Sequence, residues 1–162
     1  MSGPSGFAPR SLIAALADAD VEFCVVGAFA LAVHGAPRGT ADVDIAAAAS
    51  IENLTKLADA LTGLEGRVEP GGGVEHWSAE LLGSRGEIKA FTVHGPLHVL
   101  TDVEGVPAFD RLKGAALAID VEGREVLFAG RDDLIEMKKR SGRLIDRADL
   151  DRLADTEEDP SP

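Results

Sequence analysis

The sequence is poor in several residue types, and each scarcity narrows its interpretation. It has one cysteine, one tryptophan and no tyrosine among 162 residues. Cys24 cannot form an intrachain disulfide, and its apolar context (VEFCVV) predicts a buried thiol in a reducing compartment. Cations are also few, since 16 Lys and Arg oppose 28 Asp and Glu for a net charge of −12. This balance disfavours long nucleic acid held over a broad surface, because neutralising phosphates requires clustered cations.

Long apolar runs and targeting segments are lacking as well. No run reaches the roughly 18 residues of a membrane-spanning helix, so no membrane association is predicted. The first residues, MSGPSGFAPR, lack the basic and apolar regions of a signal peptide, and we expect a cytoplasmic protein. The length predicts one domain at 9–154, between a flexible N-terminus at 1–8 and a disordered acidic tail at 155–162.

The apolar pattern alternates between helical and strand periods. Helices are predicted at 9–20, 28–35, 50–64, 106–116, 131–142 and 144–155, and strands at 21–26, 41–48, 87–93 and 94–100, with a hairpin at 116–130. Residues 67–86 are predicted to be irregular because of three consecutive glycines. Ser11 and Ser50 are candidate N-caps, and a turn is expected at Gly95-Pro96. The order predicts an α/β (α+β) domain with a small mixed sheet flanked by helices.

The stretch GTADVDIAAAAS, residues 39–50, places two aspartates within a largely apolar strand. Residues two apart on a strand share a face, so Asp42 and Asp44 project side by side while Val43 and Ile45 face the core. Such a pair is unfavourable unless protons bind or a cation neutralises it. Mg²⁺ or Mn²⁺, which prefer oxygen ligands, would do so. The alternative is a strand with one exposed acidic face.

The residues before this strand add a possible phosphate site. A strand runs into Gly27 and then directly into a helix, whose first N–H groups lack intrahelical partners and favour anions. Gly27 allows a phosphate to approach the main chain, and a short loop carrying Arg38 leads to the acidic strand. The segment therefore combines a phosphate cradle, a cation and a metal-binding pair.

This arrangement resembles the signature of the nucleotidyltransferase superfamily, the DNA polymerase beta-like fold. It is most similar to minimal nucleotidyltransferases of abortive-infection type, which often belong to toxin–antitoxin pairs. The matching positions are Gly27, Ala30, His34, Gly35, Arg38, Thr40, Asp42, Val43, Asp44 and Ile45. The segment DLIEMKKRSGRLIDRADLDRL resembles the family's last helices at Lys138, Gly142, Arg143, Asp146 and Asp149. The resemblance spans roughly residues 11–153.

The resemblance implies transfer of a nucleoside monophosphate from an NTP to an acceptor hydroxyl with Mg²⁺ or Mn²⁺. It makes Asp42 and Asp44 the catalytic metal ligands. The implied nucleotide-binding residues are Gly27, Ala28, Arg38, Thr40 and Lys138. The acceptor is expected to be a protein, a tRNA or a small molecule, and a partner protein or a homodimer is a further expectation.

Two positions depart from the family pattern. Ala28 replaces the second glycine or serine, and His98 in GPLHVL replaces the third metal-binding carboxylate. Imidazole is a poor Mg²⁺ ligand, although His98 is a candidate catalytic base. Asp102, Glu87 and Glu80 are candidate substitutes for the missing carboxylate. Two alternatives therefore stay open: a degenerate binding module, as an antitoxin-like partner or nucleotide sensor, and a metal hydrolase using His98 with the two aspartates.

Several polar residues also have local interpretations. His34 is expected to pack or cap near a helix end, and Asp146 and Asp149 to cap and pair locally. Lys138 belongs to a basic group in the last turn of a helix, where cations are favoured in any case. Trp77 is expected to be a satellite of the core.

Overall fold

The computed structural model describes residues 6–73 and 75–158. The helices are α1 (Pro9–Asp18), α2 (Gly27–Val33), α3 (Ile51–Gly63), α4 (Ala79–Arg85), α5 (Phe109–Ala115), α6 (Arg131–Ser141) and α7 (Leu144–Glu158). The strands are β1 (Phe23–Val26), β2 (Val43–Ala47), β3 (Glu87–Thr92), β4 (Gly95–Leu100), β5 (Leu117–Val121) and β6 (Arg124–Phe128). Within these ranges no helix combines the length and apolarity that crossing a bilayer requires.

The strands form one mixed sheet in the order β3-β4-β2-β1-β6-β5. β2 runs antiparallel to β1 and parallel to β4, while β1 and β6 are parallel. β3 and β5 are the edge strands, each antiparallel to its neighbour. This α/β sheet with flanking helices confirms the predicted fold class. The topology also places the C-terminal end of β1 beside the N-terminal end of β2.

The core explains why β2 tolerates its two acids. Val43 and Ile45 are fully buried on one face of the strand, whereas Asp44 between them stays partly exposed. Fully buried leucines from two helices join the core, namely Leu12 and Leu16 of α1 and Leu57 and Leu61 of α3. The alternation of period two was therefore sufficient to predict which face of β2 carries the carboxylates.

One helix was not predicted. Within the segment expected to be irregular, α4 begins after Ser78, whose hydroxyl accepts a hydrogen bond from the N–H of Leu81 at 3.1 Å. Leu82 is buried, so this short helix is stabilised by packing more than by its own propensity. Trp77 precedes it as expected, buried in the core with its Nε1–H donating to the carbonyl of Gly66 at 3.0 Å.

Several predicted boundaries also shift. The β3–β4 turn lies at residues 93–94, and Gly95 and Pro96 open β4 instead of forming the turn. Ser11 is not an N-cap, because α1 begins at Pro9, a position that proline suits. Ser50 is the N-cap of α3 as predicted, and α7 continues to Glu158, past the predicted domain end at 154. Residues 1–5 and 159–162 of the predicted termini lie outside the described residues.

We expect Asn53→Ala to lower the free energy of unfolding by about 1–3 kcal/mol, since it leaves buried backbone groups without partners. Asn53 is 1% exposed, and its side chain accepts from the N–H of Glu22 and donates to the carbonyls of Glu22 and Ala48. Urea unfolding measures the change, with the exposed Thr55→Ala on the same helix as control. Equal stability of the two variants would contradict this role.

Candidate functional site

The two acids of the predicted site lie where β2 begins. Asp42 immediately precedes β2, and Asp44 pairs in register with Val26 of β1 and His98 of β4. Their side chains are 25% and 22% exposed, so both carboxylates are reachable from solvent. The structure thus places His98 against Asp44, with Asp42 two residues before Asp44, and the catalytic role of the three residues stays a prediction.

Gly27 touches the second of these acids. Its φ is +69°, and a Cβ built there would lie 2.1 Å from Oδ2 of Asp44. The left-handed backbone and this crowding both require glycine. Gly27 opens α2 and Ala28 follows as a buried residue, so the start of α2 and the Asp44 carboxylate are in contact. Contact of Gly27 and Ala28 with a phosphate stays a prediction.

His98 lies between two carboxylates. Its Nδ1 is 3.0 Å from Oδ1 of Asp44, and its Nε2 is 2.6 Å from Oε1 of Glu87 on the edge strand. The hydrogen bond to Asp44 is the main cause that raises the pKa of His98, and Glu87 adds to it while partial burial opposes it. Because carboxylates accept hydrogen bonds, two such partners favour the doubly protonated imidazolium. In this arrangement neither nitrogen is free to take a proton or to ligate a metal.

Of the three candidate substitutes for the third carboxylate, Glu87 is the one that the structure places at His98. Asp102 lies beyond the end of β4, and Glu80 lies on α4. Glu87 contacts the histidine and does not replace it as a neighbour of Asp44.

Lys89 neutralises the first acid. Its Nζ is 3.1 Å from Oδ2 of Asp42, and on β3 it stands opposite His98 in register. Thr40 donates from Oγ1 toward the backbone carbonyl of Asp42 at 3.2 Å and toward its carboxylate at 3.4 Å. Lys89 was not predicted to belong to the site. Its position two residues after Glu87 indicated that both share a face of the strand, but the sequence did not indicate the register that places this face beside His98.

Arg38 and Lys138, both predicted to bind nucleotide, meet at a buried aspartate. Arg38 Nε donates to Oδ1 of Asp149 at 2.8 Å, and Lys138 Nζ lies 3.0 Å from Oδ2 of the same residue. Lys138 is also 3.2 Å from Oδ1 of Asp146, and both aspartates are fully buried. Lys138 itself is only 7% exposed, so its direct contact with phosphates stays a prediction that this geometry does not favour.

The same cluster fixes the start of α7. Asp146 accepts hydrogen bonds from the backbone N–H and from Nε of Arg143, so it caps the helix from within its first turn. Burial alone would raise the pKa of Asp146, but hydrogen bonds from Arg143, Ser141 and Lys138 together hold it well below its usual range. Asp149 pairs with the distant Arg38, which the expected local pairing did not include.

Arg143 is an exposed cation that pairs with Asp146 and interacts electrostatically with Asp44. Its side chain is 69% exposed. The hydrogen bond to Asp146 is the main cause that raises the pKa of its guanidinium, and the charge of Asp44 contributes. Arg143 therefore lies within electrostatic reach of Asp44, although the resemblance gave it no stated role.

The donor set determines which metal the residues fit. Among the described residues no group of three or more His, Cys, Asp or Glu side chains forms a metal site. Mg²⁺, however, is commonly held by one or two carboxylates together with the phosphates of a substrate. Asp42 and Asp44, side by side and partly exposed, fit a divalent ion of that kind. They do not fit a centre of three carboxylates, because His98 occupies the third position.

Two other singled-out residues lie outside the site. Nε2 of His34 is 2.9 Å from the carbonyl of Ala129, so this histidine packs against the residue that follows β6, as expected. Cys24 is fully buried, and burial, with a smaller contribution from Asp133, raises the pKa of its thiol to about 12. A thiol in this state is unreactive, which agrees with its structural interpretation.

Comparison with solved structures identifies the architecture. The antibiotic-resistance factor ANT(2'')-Ia, in its solution structure, aligns with a TM-score of 0.61 at 12% identity, over 91% of this chain and 83% of that one. TM1012 of Thermotoga maritima, a candidate nucleotidyltransferase, aligns with a TM-score of 0.55 at 13% identity, over 91% and 90% of the two chains. The chain has the nucleotidyltransferase fold.

A third nucleotidyltransferase-fold structure agrees. The antigenic nucleotidyltransferase-like protein of Paracoccidioides brasiliensis has a TM-score of 0.56 at 18% identity, over 89% of this chain and 72% of that one. No protein-family model and no curated protein matches the sequence. The fold that the motif between Val25 and Ala46 predicted is therefore confirmed, whereas identities this low establish the fold alone.

We expect Gly27→Ala to destabilise the protein by about 1–2 kcal/mol from its left-handed backbone, and further by the clash with Asp44. Gly63→Ala is the matched control, because nothing lies within 4 Å of a Cβ at that helical position. Chemical unfolding of both variants gives the comparison. In an Asp44→Ala background the Gly27→Ala penalty should shrink toward the backbone contribution, and an unchanged penalty would contradict the contact.

We expect Asp146→Asn to lose about 3 kcal/mol of stability near neutral pH, since it leaves Lys138 buried beside one carboxylate fewer. A carboxylate whose folded-state pKa is lowered adds stability above its unfolded pKa, near 4, and loses it as pH falls through the folded pKa. The difference between wild type and Asp146→Asn should therefore narrow below about pH 4. Urea unfolding across pH measures this. The exposed Asp151→Asn is the control, and a difference independent of pH would contradict the assignment.

Proposed function

We propose that this chain transfers a nucleoside monophosphate from an NTP to an acceptor hydroxyl, with release of pyrophosphate. The observation that carries the proposal is the pair of reachable carboxylates, Asp42 and Asp44, held against the Gly27 turn between β1 and α2. A strand with a merely exposed acidic face has no need of a left-handed glycine in contact with one of its acids. The nucleotidyltransferase fold supports the same reaction class.

The residues around Asp42 and Asp44 have separate roles in binding. Asp42 and Asp44 would hold Mg²⁺ or Mn²⁺. When bound, the metal ion supplies positive charge that stabilises the negative charge developing on the phosphates. Thr40 orients the Asp42 carboxylate, Lys89 adds a cation beside Asp42, and Arg143 adds one within electrostatic reach of Asp44, so both favour a triphosphate. Arg38 and Lys138 act indirectly. Both pair with the buried Asp149, and this pairing fixes the loop that leads to Asp42.

His98 is expected to slow the reaction. A base at this position would take the proton of the attacking hydroxyl, but both ring nitrogens of His98 are held by carboxylates and its pKa is raised. The acceptor proton would then leave without help from this residue. The same contacts remove the support for a metal hydrolase that uses His98 as a ligand.

The acceptor is a separate part of the proposal. A net charge of −12 disfavours tRNA, so a small molecule or a protein side chain is the better match. The solved complex of the structural relative ANT(2'')-Ia with adenylyl-2''-tobramycin shows a small-molecule product in this fold. A cytoplasmic location, a partner chain or homodimer, and membership of a toxin–antitoxin pair stay predictions from composition and resemblance.

One observation favours a second candidate function. His98 bridges Asp44 and Glu87, so the Asp44 carboxylate has a partner without a metal. This is expected for a scaffold that no longer catalyses transfer. In this case the chain is a degenerate binding module, an antitoxin-like partner or nucleotide sensor. The transferase and the nucleotide sensor share nucleotide binding and differ in turnover, whereas an antitoxin-like partner is defined by binding to a protein.

We expect wild type to bind at least one of ATP, CTP, GTP and UTP in a Mg²⁺- or Mn²⁺-dependent manner. Asp42→Asn/Asp44→Asn should abolish that binding, because it removes the charge that attracts the metal. Isothermal titration calorimetry measures both. Asp59→Asn/Glu125→Gln removes two exposed acids elsewhere and serves as the control. Absence of binding to wild type with either metal would refute the transferase and the nucleotide sensor, and would leave the antitoxin-like protein partner.

We expect His98→Asp to raise the rate of nucleotidyl transfer about 100-fold, since it restores a carboxylate able to serve as base. The assay follows labelled NMP transfer to a pool of hydroxyl acceptors, with His98→Asn as an uncharged control. Faster transfer by His98→Asp supports the transferase. Nucleotide binding with no transfer by either protein supports the binding module, and transfer by wild type that His98→Asp abolishes would show that the histidine is essential.

A further inference from the structure

The two edges of the sheet differ in whether another segment pairs with them. At one edge, Phe91 of β3 exchanges backbone hydrogen bonds with Arg67 at 3.0 and 2.7 Å. At the other edge, β5 pairs with β6 on its inner side. Among residues 6–73 and 75–158, no backbone hydrogen bond joins Leu117–Val121 to any further segment. An open edge of this kind presents a row of donors and acceptors to another strand.

The sequence of β5 does little to prevent such pairing. Its five residues, LAIDV, include no lysine and no proline, and they pair with β6 without a bulge. Lysine, proline and bulges are the usual means by which exposed edges avoid another strand. Leu117 is 42% exposed, and open space surrounds the position of a Cβ at Gly114 and Gly123, near the two ends of the strand. A second backbone can therefore approach along the whole of β5.

The hairpin turn determines which backbone groups of β5 face outward. Residues 122–123 form a two-residue turn with positive φ at both positions, so the flanking Val121 and Arg124 are a hydrogen-bonded pair. Hydrogen-bonded and non-hydrogen-bonded pairs alternate along an antiparallel ladder. Ala118 and Asp120 therefore direct their N–H and C=O groups away from β6.

These outward groups match a second copy of β5 that runs antiparallel to the first. When the pairing is centred on Ile119, Ala118 lies opposite Asp120 of the second copy, and the outward N–H and C=O groups of both strands are joined in hydrogen bonds. Ile119 then meets its own copy at the two-fold axis, and each Asp120 faces a small neutral residue. Leu117 lies opposite Val121, so its exposed side chain gains an apolar neighbour.

Charges at the two ends of β5 favour the same direction. The exposed Lys113 lies four residues before the strand, and the exposed Glu122 directly follows it. Neither side chain forms a salt bridge within the described part of the chain. Antiparallel pairing of two copies brings the acidic end of each strand toward the basic end of the other. Parallel pairing would bring like charges together.

We propose that β5 pairs with β5 of a second copy of this chain, antiparallel about Ile119, to form a symmetric homodimer with one continuous sheet. The same surface is used on both copies, as a two-fold axis requires. The proposal does not depend on the transferase function, because β6 and β1 lie between this edge and the acids of β2. An edge of five residues buries little area, so the dimer is expected to be weak and to dissociate on dilution.

The first test measures the oligomeric state of the full chain. Sedimentation equilibrium from about 1 µM to about 1 mM covers the range of weak association. At about 0.15 M ionic strength, where repulsion between distant charges is partly screened, we expect a reversible equilibrium between monomer and dimer. A monomer at every concentration would overturn the proposal.

Matched substitutions at one exposed position test the pairing itself. Ala118→Glu should weaken dimerisation about tenfold, since the two-fold axis places a like charge opposite Asp120 twice. Ala118→Lys should strengthen it by a similar factor, because the new charge faces the same acid. Ala154→Glu adds a negative charge at an exposed position of α7 and should leave the dimer unchanged. Circular dichroism confirms that each variant folds. A dimer that neither substitution at position 118 affects would lie on another surface and would overturn the proposal.

Cross-linking tests the register. Ile119→Cys should form a disulfide-linked dimer with oxidised glutathione, because directly opposite residues have Cβ atoms about 4.5–5.5 Å apart. Leu117→Cys is the matched control, since in this register position 117 lies four residues, or about 13 Å, from its own copy along the strand. The buried Cys24 is present in both variants. Equal cross-linking of the two variants would overturn the antiparallel pairing about Ile119.

Discussion

Repulsion between Asp42 and Asp44 is the constraint around which this part of the molecule is built. Two carboxylates on one face of a strand need opposite charge within a few ångströms, and burial of the rest of β2 increases that need. The protein supplies a separate partner for each acid, Lys89 from the edge strand for Asp42 and His98 from β4 for Asp44. The mixed topology makes this possible, because β4 lies directly beside β2 and β3 beside β4.

A second group of charges is buried and fixes how helices pack. Asp146 and Asp149 are fully buried beside Lys138, and Arg38 reaches the same cluster from the loop before β2. Such a network is favourable only when every member is paired, so it specifies one relative placement of α6, α7 and the loop. The position of Asp42 thus depends on helices far away in sequence.

Much of the fold was predictable from local patterns, and the failures have physical causes. Alternation in β2 predicted the shared face of Asp42 and Asp44, and the strand–glycine–helix pattern predicted the turn at Gly27, which in the structure contacts Asp44. Their neighbours Lys89 and Glu87 depend on the register between β3 and β4, which no local pattern encodes. The burial of Lys138 likewise depends on how two helices pack. α4 was missed because it follows closely after three consecutive glycines, which led the whole segment 67–86 to be predicted irregular.

The contact between Gly27 and Asp44 sets an order in which such a site can decay. Position 27 is restricted twice, by its left-handed backbone and by the carboxylate that fills the space of a side chain, whereas position 44 is restricted by chemistry alone. Loss of the acid relieves only one of the restrictions on the glycine. In a lineage that abandons the reaction, the acid would therefore disappear first and the glycine would outlast it. A chain that retains both residues therefore keeps the part of the site that such a lineage would lose first.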